Sequence, residues 1–240
     1  MLVDQQTRDV AVPPTVLRLA GARELYLLWH NEIGGLTYLV GDDLVVKWSP
    51  PGVDLGAEAE RLAWARAFIV VPEVADRGAD DSGSWLVTRR LPGENAVTPR
   101  WVADPATAVR AVGEGLRALH DRLPVDSCPY SWSVADRLAE VADPTARDRL
   151  RDAPNVDQLV VCHGDACAPN TLIADDGTWA AHVDLGSLGL ADRWADLAVA
   201  TWSTVWNYGP GWEDALLDAY GVGPDPERTA YYRDLWEAGP

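Results

Sequence analysis

Lysine is almost missing from this chain. Its 20 basic residues comprise Lys47 and 19 arginines. A sequence that uses arginine everywhere else and keeps one lysine points to a place where a compact ammonium is needed and a planar, forked guanidinium does not fit. Basic residues are also scarce as a class, since 37 acidic side chains leave a formal net charge of −17. That balance excludes nucleic acid and anionic membrane surfaces as partners, because their phosphates would be repelled, and it favours a cationic one. Cysteine is sparse as well. Cys128, Cys162 and Cys167 are odd in number and lack metal-type spacing, which excludes a disulfide framework and a zinc site and predicts buried, reduced thiols without a role. No apolar run is long enough to span a bilayer. The first residues, MLVDQQTRDV, lack the basic and apolar segments of a secretory leader, so a cytoplasmic location is expected. What remains is a globular composition, 48% hydrophobic over 240 residues, enough for a full core in one unit or in two lobes.

The informative stretch runs from Leu159 to Asp196. Leu159-Val160-Val161-Cys162 has the length and β-branched content of a buried strand, and His163-Gly164-Asp165 follows it, placing an aspartate on the turn at the strand end. Asn170 precedes a second apolar run, Thr171 to Ala174. After a turn at Asp175-Asp176-Gly177, a third run from Trp179 to Val183 delivers Asp184 in Asp184-Leu185-Gly186. Three strand ends thus gather Asp165, Asn170 and Asp184. Phosphoryl transfer needs a group to accept a hydroxyl proton and hard oxygen ligands for Mg²⁺. Asp165 suits the first task, and the amide oxygen of Asn170 with the carboxylate of Asp184 suits the second.

Upstream, the pattern predicts strands at Glu24–His30, Tyr38–Val40 and Leu44–Trp48, with Lys47 near the end of the third. Gly34 and Gly35 lie in the turn between the first two. They fit both an ordinary hairpin turn and a loop whose backbone approaches a nucleotide. A helix is expected over Ala57–Phe68, offering Glu58 and Glu60 as partners for Lys47. A hairpin follows at Val74–Arg77 and Ser84–Arg89. The lead up to Ala20, punctuated by Pro13-Pro14, reads as irregular. Helices are expected at Ala106–Leu123, with His120 a structural residue beside its apolar face, and at Ser133–Val141, capped by Ser133. Further helices are expected at Ala191–Trp206, Trp212–Tyr220 and Pro226–Trp236, while Asp143–Gln158 is polar and short.

The order HGDxxxxN, then DLG, then GLADRWADLA resembles the aminoglycoside phosphotransferase family, above all its 3′-phosphotransferase branch. The resemblance implies an α+β, protein-kinase-like fold. It divides the chain into an N-terminal nucleotide-binding lobe (1–91), a small antiparallel sheet with one helix, and a mainly helical catalytic and substrate-binding lobe (92–240). It implies ATP, with GTP as the alternative donor, and Mg²⁺ held between the lobes. Lys47 would contact the α- and β-phosphates, Glu58 would pair with it while Glu60 stays a surface charge, and backbone from Arg89 to Leu91 would meet the base. Asp165 would act as base, Asn170 and Asp184 as metal ligands, and His163 and Asp196 as supports of the catalytic loop. Acidic and aromatic residues near the C-terminus wall the acceptor site in that family, which makes Asp234, Glu237 and Trp206 candidates here. The chain departs from the family in its short 143–158 segment and in Ser187, where an arginine is frequent after the D-x-G glycine. The expected acceptor is a cationic aminoglycoside, for a monomer or dimer conferring resistance. The tryptophans at 202, 206 and 212 keep a macrolide, choline-like or sugar acceptor as the alternative.

Overall fold

A computed structural model describes residues 10–239. By contacts the chain divides into two compact units, one of the described residues up to Ala67 with Val71–Leu91, the other of Phe68–Val70 with the residues from Pro92 on.

The first unit is a five-stranded antiparallel sheet in the order β1-β2-β3-β5-β4, from β1 (Leu25–His30), β2 (Leu36–Val40), β3 (Leu44–Ser49), β4 (Val74–Asp80) and β5 (Gly83–Arg89). Strand β2 alternates buried and half-buried positions, the period of two that a one-sided sheet requires. Its buried face, Leu36, Tyr38 and Val40, joins Val46 and Val87 with Val16 and Ala20 of α1 (Pro14–Ala20). The irregular lead expected up to Ala20 is therefore corrected from residue 14 onward, and residues 1–9 lie outside the described ones. Pro14 sits in the first turn, where a missing N–H is harmless and the fixed φ favours the helix, so the proline pair starts an element instead of breaking one. Helix α2 (Gly56–Ala65) turns Ala59, Leu62 and Ala65 inward, and Glu58 is buried with them.

The second unit holds β6 (Glu94–Asn95), α3 (Pro99–Val102), α4 (Pro105–Arg122), α5 (Val134–Glu140) and α6 (Pro144–Arg149), the last within the segment read only as polar. Asp104 caps α4 by accepting from the Thr107 N–H, and Ser133 caps α5 by accepting from Asp136. Then come β7 (Leu159–Cys162), β8 (Thr171–Ile173), β9 (Trp179–His182), β10 (Gly189–Asp192), α7 (Trp194–Tyr208), α8 (Glu213–Tyr220) and α9 (Pro226–Ala238). Ala191 belongs to β10, which pairs antiparallel with β7, and the helix expected from Ala191 begins at Trp194. The backbone groups of β7 need a partner strand, and that demand overrides the helical spacing of the apolar residues. The core lies where α4, α7, α8 and α9 meet, around Val112, Leu116, Leu197, Leu216 and Leu235. Cys162 is buried as expected, but Cys128 and Cys167 are only half-buried. Among the described residues no helix is long and apolar enough to cross a membrane.

Candidate active site

Strand β7 carries the chain out of the core into His163-Gly164-Asp165, and the turn is held from several sides. His163 is fully buried, its Nε2 lies 2.9 Å from the Val183 carbonyl oxygen, and its Nδ1 accepts from the Asp165 N–H at 3.3 Å. Gly164 has φ +84°, and a Cβ there would stand 2.2 Å from the Ser187 carbonyl oxygen, so the position needs glycine twice over. Asp196, from the first turn of α7, is fully buried and accepts the N–H groups of His163 (2.6 Å) and Gly164 (2.9 Å). Burial pushes its carboxyl upward. The hydrogen bond from His120, with the bond from Gly164, outweighs that and holds it below the ordinary carboxylate range.

A 3₁₀ turn, Ala168–Asn170, is tied to α7 by the Ala168 N–H donating to Ser203 Oγ at 2.9 Å. It brings Asn170 back to Asp165, where the amide nitrogen donates to the carbonyl oxygen at 2.9 Å and to Oδ2 at 3.1 Å. Asp165 Oδ1 is buried and has no hydrogen-bond partner among the described residues, leaving an acceptor for an incoming hydroxyl. Asn170 also takes the Val183 N–H on its own carbonyl oxygen at 3.0 Å, fastening the start of β8 to the end of β9. Asp184 comes next with φ +62°, the one non-glycine residue at positive φ among the described residues. Strain of this kind persists only where the surroundings enforce it, and it gathers at functional sites. Both carboxylates bear on Cys167: burial raises its thiol most, and Asp165 then Asp184 raise it further, so it stays protonated.

The donor set suits a hard cation. The nitrogen of Asn170 is committed to Asp165, which leaves its oxygen on the other side, and Asp184 adds a carboxylate.

Lys47, on β3, pairs with Thr37 of β2 and Leu86 of β5 in the sheet register, and its Nζ lies 2.7 Å from Glu58 Oε2. Glu60 is exposed, 3.6 Å from Arg77. Gly34 and Gly35 close the β1–β2 turn, with Gly34 at φ +86° and the Gly35 N–H donating to Asn31 Oδ1. The Arg89 side chain reaches Asp43 at 3.0 Å on the surface of the first unit, its N–H donates to the Glu73 carbonyl and that of Arg90 to the Asp43 carbonyl. Leu91 is the last residue of that unit.

Beside Asp165 opens a cavity of about 370 Å³, lined by Arg137, Gly164, Asp165, Ser187, Trp236, Glu237 and Gly239. Glu237 is thus on its wall. Asp234 is not. It is about half exposed, 4.0 Å from Arg149. Trp206 is exposed and not on that wall, with its ring centroid 4.8 Å from that of Trp202 and 6.0 Å from that of Trp236. Arg137, which packs over the Trp132 ring at 5.1 Å and pairs with Glu140, escaped sequence reasoning, as did Trp236. No local spacing singles out either.

The sequence matches the phosphotransferase enzyme family (APH) over residues 31–232. It is 38% identical to an aminoglycoside 3′-phosphotransferase of Streptomyces fradiae, covering 77% of this chain and 79% of that protein. It is 37% identical to the streptomycin 3″-kinase of Streptomyces griseus, covering 94% and 95%. Among solved structures it resembles an aminoglycoside phosphotransferase of the 3″-Id type from Streptomyces rimosus, in complex with ADP and streptomycin, with TM-score 0.70 and 26% identity over 92% of this chain and 95% of that one. The antiparallel sheet and the helical second unit agree with that kinase-like architecture, and the chain belongs to the phosphotransferase enzyme family.

Proposed function

We propose that this protein transfers the γ-phosphate of ATP to a hydroxyl of an aminoglycoside, of the 3′ type, and thereby confers resistance to it. The observation that carries the reading is Asp165. One of its carboxylate oxygens is held by Asn170, the other is buried without a partner, and the residue lines a cavity that also presents Glu237. An acceptor hydroxyl at Oδ1 gives up its proton there as its oxygen bonds to phosphorus and the bond to ADP breaks. Gly164 and His163, fastened to Asp196, keep Asp165 from swinging away. Residues 1–91 serve as the nucleotide-binding domain, with Lys47 supplying a point charge to the phosphates and Glu58 fixing it. Residues 92–240 serve catalysis and the acceptor. Asn170 and Asp184 hold Mg²⁺, which when bound neutralises charge on the transferring phosphate. Glu237 and the general acidity of the chain attract the amines of the acceptor. A supply of ATP makes the cytoplasm its place of work.

The test is ADP release by the purified protein with Mg²⁺-ATP and a panel of aminoglycosides, macrolides and choline. Turnover with an aminoglycoside, and a KM for it that rises with added salt at near-constant kcat, supports the reading, since screening shortens to about 8 Å at physiological ionic strength. Turnover confined to macrolides or choline would overturn it.

A further inference from the structure

Tyr220, the last residue of α8, has a hydroxyl that the proposed chemistry does not use. Its Oη lies 2.9 Å from Nδ1 of His120 on α4, and Nε2 of the same ring lies 2.9 Å from Asp196 Oδ2. Asp196 in turn accepts the N–H groups of His163 and Gly164, the two residues before Asp165. All of these side chains are buried. The helices come close enough for the contact because Gly113, two turns before His120, has no Cβ. One there would stand 2.6 Å from the Leu216 carbonyl oxygen, one turn before Tyr220.

We propose that Tyr220 and His120 are positioning residues for phosphoryl transfer. The Tyr220 hydroxyl donates to His120 Nδ1 and so selects the tautomer whose Nε2–H donates to Asp196, which keeps that carboxylate aimed at the two amides that set Asp165. For a neutral imidazole, which the proposal requires, the direction of donation follows from the ends of the chain. Burial pushes the Tyr220 hydroxyl up to about 12, so it keeps its proton, while Asp196 is held in the carboxylate form and can only accept. The imidazole between them therefore accepts on one side and donates on the other. Without the hydroxyl, the opposite tautomer becomes available. It faces Asp196 with a lone pair 2.9 Å from an anionic oxygen, a repulsive contact that loosens the support of the turn.

The inference rests on Asp165 being the base, and its first test is independent of any acceptor. The chain has four histidines, so ¹⁵N spectra of histidine-labelled protein can be assigned residue by residue. For His120 we expect an unprotonated Nδ1 and a protonated Nε2, and in Tyr220→Phe faster hydrogen exchange at the His163 and Gly164 amides. A protonated Nδ1 in the wild type, or unchanged exchange in the variant, would overturn the proposal even if aminoglycosides are phosphorylated. Absence of phosphorylation would instead sink the reaction, with the hydrogen-bond chain still judged by these spectra. The second test is kinetic. Tyr220→Phe should lower kcat about tenfold with KM for ATP unchanged, in line with the loss of one hydrogen bond at a group that must stay within an ångström of its place. Tyr231→Phe is the control, since it loses a hydroxyl bond of 2.8 Å to the Leu150 carbonyl in the same unit. It should lose some thermal stability and keep kcat. Equal kcat in both variants, whether reduced or not, would reduce Tyr220 to a packing residue.

Discussion

Asn170 holds Asp165 through one amide group, donating to its carbonyl oxygen at 2.9 Å and to its carboxylate Oδ2 at 3.1 Å. In the proposed reaction the two residues divide the work: the nitrogen of Asn170 would position the base and its oxygen would be left for a cation. Asp184, fixed at φ +62°, would complete the pair of hard ligands.

This division predicts that Asp165→Asn and Asp184→Asn fail differently. The first should lower kcat by about 10²- to 10⁴-fold and leave Mg²⁺-nucleotide affinity intact, because a base acts on the acceptor. The second should weaken nucleotide binding only when Mg²⁺ is present, because it removes a charged ligand. Calorimetry with and without Mg²⁺ separates them. Equal loss of nucleotide affinity in the two variants would refute the assignment.

Lys47 is the only lysine in the sequence, and its ammonium is 2.7 Å from Glu58. An amine-directed adenine-nucleotide reagent therefore has two targets, this side chain and the N-terminal amine, and Mg²⁺-ATP should protect only the first. Lys47→Arg should raise KM for ATP about tenfold or more, since a fork does not reproduce a point contact in the same space. Mass spectrometry of protein labelled with and without ATP decides it. Labelling of Lys47 at the same rate in both would leave the lone lysine a compositional accident.

Gly164→Ala should be more damaging than its size suggests. The added methyl group meets the Ser187 carbonyl oxygen at 2.2 Å, and φ +84° is unfavourable for alanine. The turn must shift, carrying Asp165 with it, so we expect kcat to fall by at least about 10²-fold while the melting temperature drops only modestly. A variant with near-normal turnover would show that the turn tolerates movement and that Asp165 is not held tightly.

His182 supplies a pH dependence of stability. Burial, then the neighbouring charge of His163, push its imidazole from the ordinary 6.5 down to about 3. The folded protein keeps it neutral while the unfolded chain takes up a proton, so its contribution is complete above pH 6.5 and is lost as pH falls from there toward 3. The slope should be about 1.4 kcal/mol per pH unit over that window. Asp196, shifted the opposite way relative to its charge, contributes above the ordinary carboxylate value and loses its effect only at lower pH. Denaturant unfolding between pH 6.5 and 4.5 lies above the Asp196 window, and His182→Gln should flatten the curve there. An unchanged slope in that variant would assign the protons elsewhere.

The stretch from Leu159 to Asp196 was legible because its logic is local. Asp165 and Asp184 sit just beyond short apolar runs and Asn170 just before one, and β7, β8 and β9 lie within a residue or so of where alternation and turn residues put them. Lys47 on β3 and Glu58 on α2 were readable in the same way. The errors have local causes too. Pro13-Pro14 reads as a break, although proline in a first helical turn is favourable. Ala191 carries helical spacing but answers to β7, a partner far behind it in the chain.

The amino-acid sequence by itself determined on which elements Lys47, Glu58, Asp165, Asn170 and Asp184 ride, since period, capping and turn chemistry act over a few residues. Tertiary structure alone decided what those groups face. Asp234 and Glu237 are near neighbours on α9, yet only Glu237 reaches the cavity, because burial of Tyr232 and Leu235 fixes the rotation of that helix. His120 reads as one more residue beside the apolar face of α4. Its bond to Asp196, 76 residues away, and to Tyr220, 100 away, exists only after α4, α7 and α8 have packed, because side-chain direction is set locally while the partner is set by the core.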